Sequence, residues 1–221
     1  PAFGANLVEA FPPKTVKPGD VFICNDPWLC NGQTADIFIT TPAFHKGKLI
    51  GFSVNTIHHV DIGGRKGSGL SEEVFEEGLI IPMLRLYDAG KPNEMLFDLI
   101  RRNVRYSEKM IGDLRAQVAT GWAGCRELER LCAEFDFPDL REVSDEITGR
   151  TEEGIRSGLR ELPDGEWREE MMMDIDGIDE PQPLVVTVKI EGDQLYADFT
   201  GTAPQVRRPV NCPINFSRAY V

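Results

Sequence analysis

The three histidines of this chain all fall within its first 60 residues, and two of them are adjacent in His58-His59-Val60-Asp61-Ile62-Gly63-Gly64. Two imidazoles with a carboxylate two residues on present neutral nitrogen and charged oxygen donors together, the donor types of a zinc, manganese or iron site. The upstream partner is Asp36, which opens the β-type run Ile37-Phe38-Ile39-Thr40-Thr41 and joins the His strand through a turn around Lys46-Gly47. Asp36, His58, His59 and Asp61 are therefore the candidate metal ligands. Register decides which histidine meets Asp36, because side chains alternate faces along a strand. Pairing of Phe44 with Lys48 would set Asp36 opposite Thr56, on the face of His58, above a dry floor of Ile50, Phe52, Val54 and Thr56. Pairing of His45 with Lys48 would set it opposite Ile57, on the face of His59. The plainer alternative is a satisfied His pair at a strand end, with Asp61 capping the glycine turn. His45, beside a turn, reads as exposed.

Around this group lie residues suited to charge or orientation. Arg65 and Lys66, in Gly63-Gly64-Arg65-Lys66-Gly67-Ser68-Gly69, can meet an anionic substrate, although the loop lacks the GxxxxGK[ST] spacing of a nucleotide cradle. Asn25 is a candidate substrate-binding residue, and Asp26 and His59 are candidate acid/base residues. An Asx-type turn ahead of Pro27 is the competing expectation for Asn25-Asp26. Glu76 and Glu77 could supply a base or simply be solvated. No GxSxG elbow is present.

These residues need strands to hold them, and the first 91 residues alternate short β-type runs with Gly and Pro: Asp20–Cys24, Asp36–Thr41, Lys48–His59 and Gly78–Tyr87. From Pro92 the hydrophobic period lengthens. Asn93 can cap one helix and Ser107 a longer one, in which Met110, Ile111, Leu114 and Val118 recur at helical spacing. A third helix is expected after Val143. The tail returns to strands at Leu184–Ile190 and Gln194–Thr200, joined by Glu191-Gly192-Asp193. The pattern predicts an α+β fold with antiparallel hairpins, divided into a β-rich site region (1–91), a helical region (92–162) and a β-type region (163–221).

Composition limits the partners. With 24 Lys+Arg against 36 Asp+Glu the formal charge is −12, which excludes a nucleic-acid or anionic-membrane surface. No apolar window has the length of a membrane span, and no leader is evident, so a cytoplasmic protein is expected. Five cysteines without a CxxC pair fit reduced, mostly buried thiols. The start at Pro1 and the abrupt end at Val221 suggest a piece of a longer subunit.

The ordered motifs Gly19-Asp20-Val21-Phe22, Asn25-Asp26-Pro27, Asp36, His58-His59-Val60-Asp61-Ile62-Gly63-Gly64, Glu77-Gly78-Leu79-Ile80-Ile81-Pro82, Asn103-Val104-Arg105, Gly112-Asp113-Leu114-Arg115-Ala116-Gln117 and Asp198-Phe199-Thr200-Gly201-Thr202 resemble the hydantoinase B/oxoprolinase family. That family includes the B-type subunits of hydantoinases, 5-oxoprolinase and the acetone and acetophenone carboxylases. The resemblance implies a hetero-oligomer in which a hydantoinase A-type partner binds ATP and Mg and activates a small-molecule carbonyl or lactam. The B-type subunit would hold a divalent metal (Zn, Mn or Fe) and complete hydrolysis or carboxylation. Its ligands would be an H-x-x-D element and a downstream histidine, hence Asp36 with His58 or His59. The chain departs at the first ligand, where Gln33 stands in place of His. Gln is a harder, weaker donor than imidazole. The alternative implied is an assembly subunit of the same complex that has lost its metal.

Overall fold

The computed structural model describes residues 2–30, 32–65, 69 and 71–220. They form an α+β fold of five α-helices and eight strands, with short 3-10 turns at Pro13–Thr15 and Val74–Glu76. The chain separates into two compact units, Pro1–Leu140 with Cys212–Tyr220, and Arg141–Asn211. The helical stretch expected as one region is thus shared between them.

The first unit is built on a five-stranded antiparallel sheet of β1 (Val21–Cys24), β2 (Asp36–His45), β3 (Lys48–His58), β4 (Leu84–Asp88) and β5 (Lys91–Pro92), in the order β3-β2-β1-β4-β5. Alternation along β1 shows how its two faces are filled. Val21 and Ile23 join Ile37, Ile39 and Leu86 under α2 (Glu94–Asn103) and α3 (Ser107–Glu134), whereas Phe22 turns to the opposite face with Leu7 of α1 (Ala2–Ala10). Asn93 caps α2 by accepting the Leu96 N–H at 3.2 Å. In α3 the expected apolar stripe is buried in its first half, at Met110, Ile111, Leu114 and Val118, and then changes character. Gly121 sits on Thr41 and Gly124 on Ser53 so closely that a Cβ at either position would collide with the strand. Helix and sheet therefore meet backbone to side chain along this stretch. His45 is buried rather than exposed, at the end of β2.

The β2–β3 hairpin departs from both expected registers. His45 pairs with Lys48 around Lys46-Gly47, whose φ angles of 49° and 80° match the primed turn that two-residue hairpins favour. Ala43 pairs with Gly51 but Phe44 with Leu49, so Ile50 is an extra residue on β3. That bulge advances the register by one and sets Asp36 directly opposite His58. The dry floor is not present, because Val54 and Thr56 are exposed.

The second unit holds α4 (Arg141–Arg160) and a three-stranded antiparallel sheet of β6 (Gly165–Met173), β7 (Gln182–Glu191) and β8 (Gln194–Asp198), with β7 central. β6 lies outside the expected strands, since Glu166-Trp167-Arg168-Glu169-Glu170 carries little hydrophobic alternation. Glu191 pairs with Gln194, which tightens the expected loop to Gly192-Asp193. α5 (Ile214–Tyr220) returns to the first unit, where Asn215 donates to the Pro27 carbonyl at 3.0 Å. Among the described residues no helix is long and apolar enough to cross a membrane.

Candidate functional site

The bulged hairpin brings Asp36 and His58 together. As directly opposed residues they share a face, and Asp36 Oδ1 lies 2.8 Å from His58 Nδ1. The His58 side chain is 66% exposed and that of Asp36 16%. In a neutral imidazole a carboxylate at Nδ1 favours the proton there, which leaves Nε2 as the acceptor. Gln33 stands next to this pair, because the Asp36 N–H donates to the Gln33 carbonyl at 3.2 Å in the turn that opens β2.

His59 goes the other way. It is 3% exposed and lies against α3, where its Nε2 is 3.0 Å from Gln117 Oε1. Gln117 Nε2 donates to the Ile37 carbonyl at 2.9 Å, so its oxygen must face the imidazole and His59 must carry its proton on Nε2. Its Nδ1 has no partner among the described residues. Burial outweighs the Gln117 hydrogen bond and the nearby Asp113 and Asp36 charges, and holds the imidazole below its ordinary value of 6.5, hence neutral. Asp113, one turn before Gln117 on α3, is the other charged group on this side.

Asp61 is committed elsewhere. It accepts the backbone N–H of Arg105, the Arg105 guanidinium at 2.7 Å and the Gly63 N–H at 3.1 Å. Burial alone would raise its carboxyl, but these donors outweigh it and hold it below the usual carboxylate range. Asp61 therefore ties the glycine turn to the end of α2, and the four residues expected to share a metal do not converge. Among the described residues no three His, Cys, Asp or Glu side chains form a group that could hold an ion.

Asn25 and Asp26 also have local duties. The buried Asn25 amide donates to the carbonyls of Thr34 (2.5 Å) and Leu79 (2.9 Å) and accepts the Ile81 N–H, clamping three segments around the site. Asp26 accepts the Trp28 N–H at 2.9 Å, the Asx-type turn of the competing expectation. Beside it the Cys30 thiol hydrogen-bonds Cys24 and, being buried, is pushed far above the usual thiol range. Arg65 is exposed and 3.6 Å from Glu76; Lys66 lies outside the described residues.

Thr34, two residues before Asp36, donates to Glu77 at 2.6 Å, and the residues after Glu77, Gly78-Leu79-Ile80, line an open groove. That groove, about 440 Å³, is lined by Gly64, Phe75, Gly78, Leu79, Ile80 and Asn103. Its walls mix polar and apolar surface, and Phe75, Leu79 and Ile80 offer contact for a small ring or alkyl chain. Two residues that local spacing does not single out as site elements, Arg105 and Gln117, lie in the quoted motifs; their long-range partners carry no local signal.

The family model for hydantoinase B/oxoprolinase matches residues 3–221. The chain is 33% identical over 210 residues to a putative D-/L-hydantoinase B-type subunit of Pseudomonas sp. (strain NS671), covering 90% of this chain and 36% of that protein. It superimposes on the ATP-dependent caprolactamase of Pseudomonas jessenii with a TM-score of 0.88 at 26% identity, over 99% of this chain and 39% of that one. An acetone carboxylase in its nucleotide-free form shares the fold, with a TM-score of 0.78 at 21% identity, over 96% of this chain and 30% of that one. The chain thus spans between 30% and 39% of the length of these three proteins. With the motifs in order and the fold in agreement, the chain belongs to the hydantoinase B/oxoprolinase family.

Proposed function

We propose that this chain forms the site-bearing part of a B-type subunit in an ATP-dependent complex acting on a small lactam, hydantoin or ketone by hydrolysis or carboxylation. An A-type partner would bind ATP with Mg and deliver the activated carbonyl. The observation that carries this reading is the Asp36–His58 pair at 2.8 Å, set directly opposite each other by a β-bulge, in a chain of this family.

The donors present fit a divalent ion (Zn, Mn or Fe) in part: an imidazole nitrogen backed by a carboxylate. His58 would hold it through Nε2, with Asp36 behind the ring at Nδ1. When bound, the ion supplies a Lewis acid for the oxyanion that develops at the attacked carbonyl. Asp36 orients His58 and strengthens its Nε2 lone pair, the role a carboxylate plays behind a ligating histidine. Phe75, Leu79 and Ile80 bind the apolar part of the substrate and exclude water from one side of it. Arg65 is exposed, next in sequence to the groove residue Gly64, and its guanidinium would meet a phosphate or carboxylate.

The test is elemental analysis of the complex purified with its A-type partner, beside the His58→Ala variant, with ATP-dependent turnover of lactams and ketones. Stoichiometric metal and turnover, both lost in the variant, are expected. Absence of metal in both samples, with turnover unchanged, would overturn the proposal. That result would favour the assembly-subunit reading, which draws its support from Asp61 being occupied by Arg105 and from Gln33 standing in place of histidine.

A further inference from the structure

We infer that Gln117 is a positioning residue for the Asp36–His58 pair, an inference that rests on the reading of that pair as the working group of the site. The amide at the end of this one side chain grips the residue after each member. Its Nε2 donates to the carbonyl of Ile37, which follows Asp36, and its Oε1 accepts from Nε2 of His59, which follows His58. The ends of β2 and β3 are thereby held to one point on α3. The grip is rigid because Gln117 and His59 are both 3% exposed. The backbone of Gln117 is itself held, since its carbonyl accepts from Asn55 Nδ2 at 3.0 Å.

Chemistry makes the arrangement directional. An amide whose nitrogen must donate to a carbonyl can offer only oxygen on its other side, so His59 is locked as the Nε2–H tautomer. A hydrocarbon or a shorter amide at 117 would release both strand ends. The Asp36–His58 pair lies at the open end of the hairpin, on the face away from α3, so the helix sets its spacing through these strand ends.

Long-range 1H–15N spectra of the histidine side chains, recorded on the full 221-residue chain and assigned with His45→Gln and His58→Gln, test this. The expected result is His59 as Nε2–H and His58 as Nδ1–H in the wild type. Gln117→Leu should lose both signatures, and Gln117→Glu, which keeps the acceptor oxygen, should retain the His59 tautomer. Val118→Ala, a neighbouring core truncation, should lower the melting temperature without moving either signal. His59 found as Nδ1–H in the wild type, or both signatures surviving in Gln117→Leu, would overturn the inference. Signals displaced equally by Val118→Ala would do the same. The wild-type spectrum and Gln117→Glu decide the matter even if Gln117→Leu does not fold. These readouts need neither metal nor partner, so the expected tautomers, found alongside a purified complex that elemental analysis shows to hold no metal, would leave the positioning role standing while the metal reading fails.

Discussion

The two sheets of this chain differ in how they are supported. The five-stranded sheet is packed on both faces, with Val21, Phe22, Ile23, Ile37 and Ile39 wholly out of solvent. The three-stranded sheet places Trp167 opposite Val188 and Met171 opposite Leu184 on one face, yet Trp167 is 46% and Met171 63% exposed, and α4 buries no residue. The difference teaches where a site can be built. A side chain pair held at hydrogen-bond distance needs neighbours that cannot move, and close packing supplies them only in the first unit.

The comparison is broken most directly in the first core. Leu114→Ala, at a fully buried position of α3, should cost about 3 kcal/mol. Ile155→Ala, at an exposed position of α4, should cost no more than about 0.5 kcal/mol by the same denaturant titration. Equal losses would mean that α4 is packed more firmly than its exposure shows.

Next in size is the ion pair that ties the glycine turn to α2. Arg105→Ala leaves the buried Asp61 carboxylate without its guanidinium and should cost about 2 kcal/mol. Removal of an exposed pair in the second unit, by Glu152→Gln against Arg156, should change stability far less and shrink further in salt. A salt-sensitive Arg105→Ala effect would show that Asp61 is not shielded by its surroundings.

Acid should act on the first unit before it acts on the second. His59 is held below 6.5, so the unfolded chain takes up a proton first as the pH falls. Stability is therefore lost on acidification below 6.5 and levels off beneath the folded-state value. Asp61, held below 3.8, contributes stability that is fully present above that value and disappears as the pH falls through its folded-state value. Melting temperatures across this range, with His59→Gln as comparison, should show the first slope only in the parent chain. A flat profile below 6.5 would mean that His59 is hydrated.

Much of the scaffold was legible because it is local. The Asn93 cap, the Lys46-Gly47 turn and the apolar spacing of Met110, Ile111 and Leu114 are each set by residues within one turn of each other. β6 was not legible, since its exposed residues leave no alternation to read. At the site, the candidate residues were in view but their pairing was not. Hairpin counting from His45–Lys48 misses the true partner of Asp36 by one position, because the extra residue at Ile50 is a bulge.

What the sequence by itself determined is the inventory: an acidic chain of formal charge −12, an α+β order of elements, and two imidazoles and a carboxylate on the two strands of a hairpin. Tertiary structure decided how they are used. Adjacent residues on a strand face opposite ways, so His58 joins Asp36 in solvent while His59 enters the interior against Gln117, 58 positions away in sequence. Asp61 is drawn to Arg105, 44 positions on. Partners so distant are brought together only by packing of α2 and α3 on the sheet, and that packing assigns each donor its role.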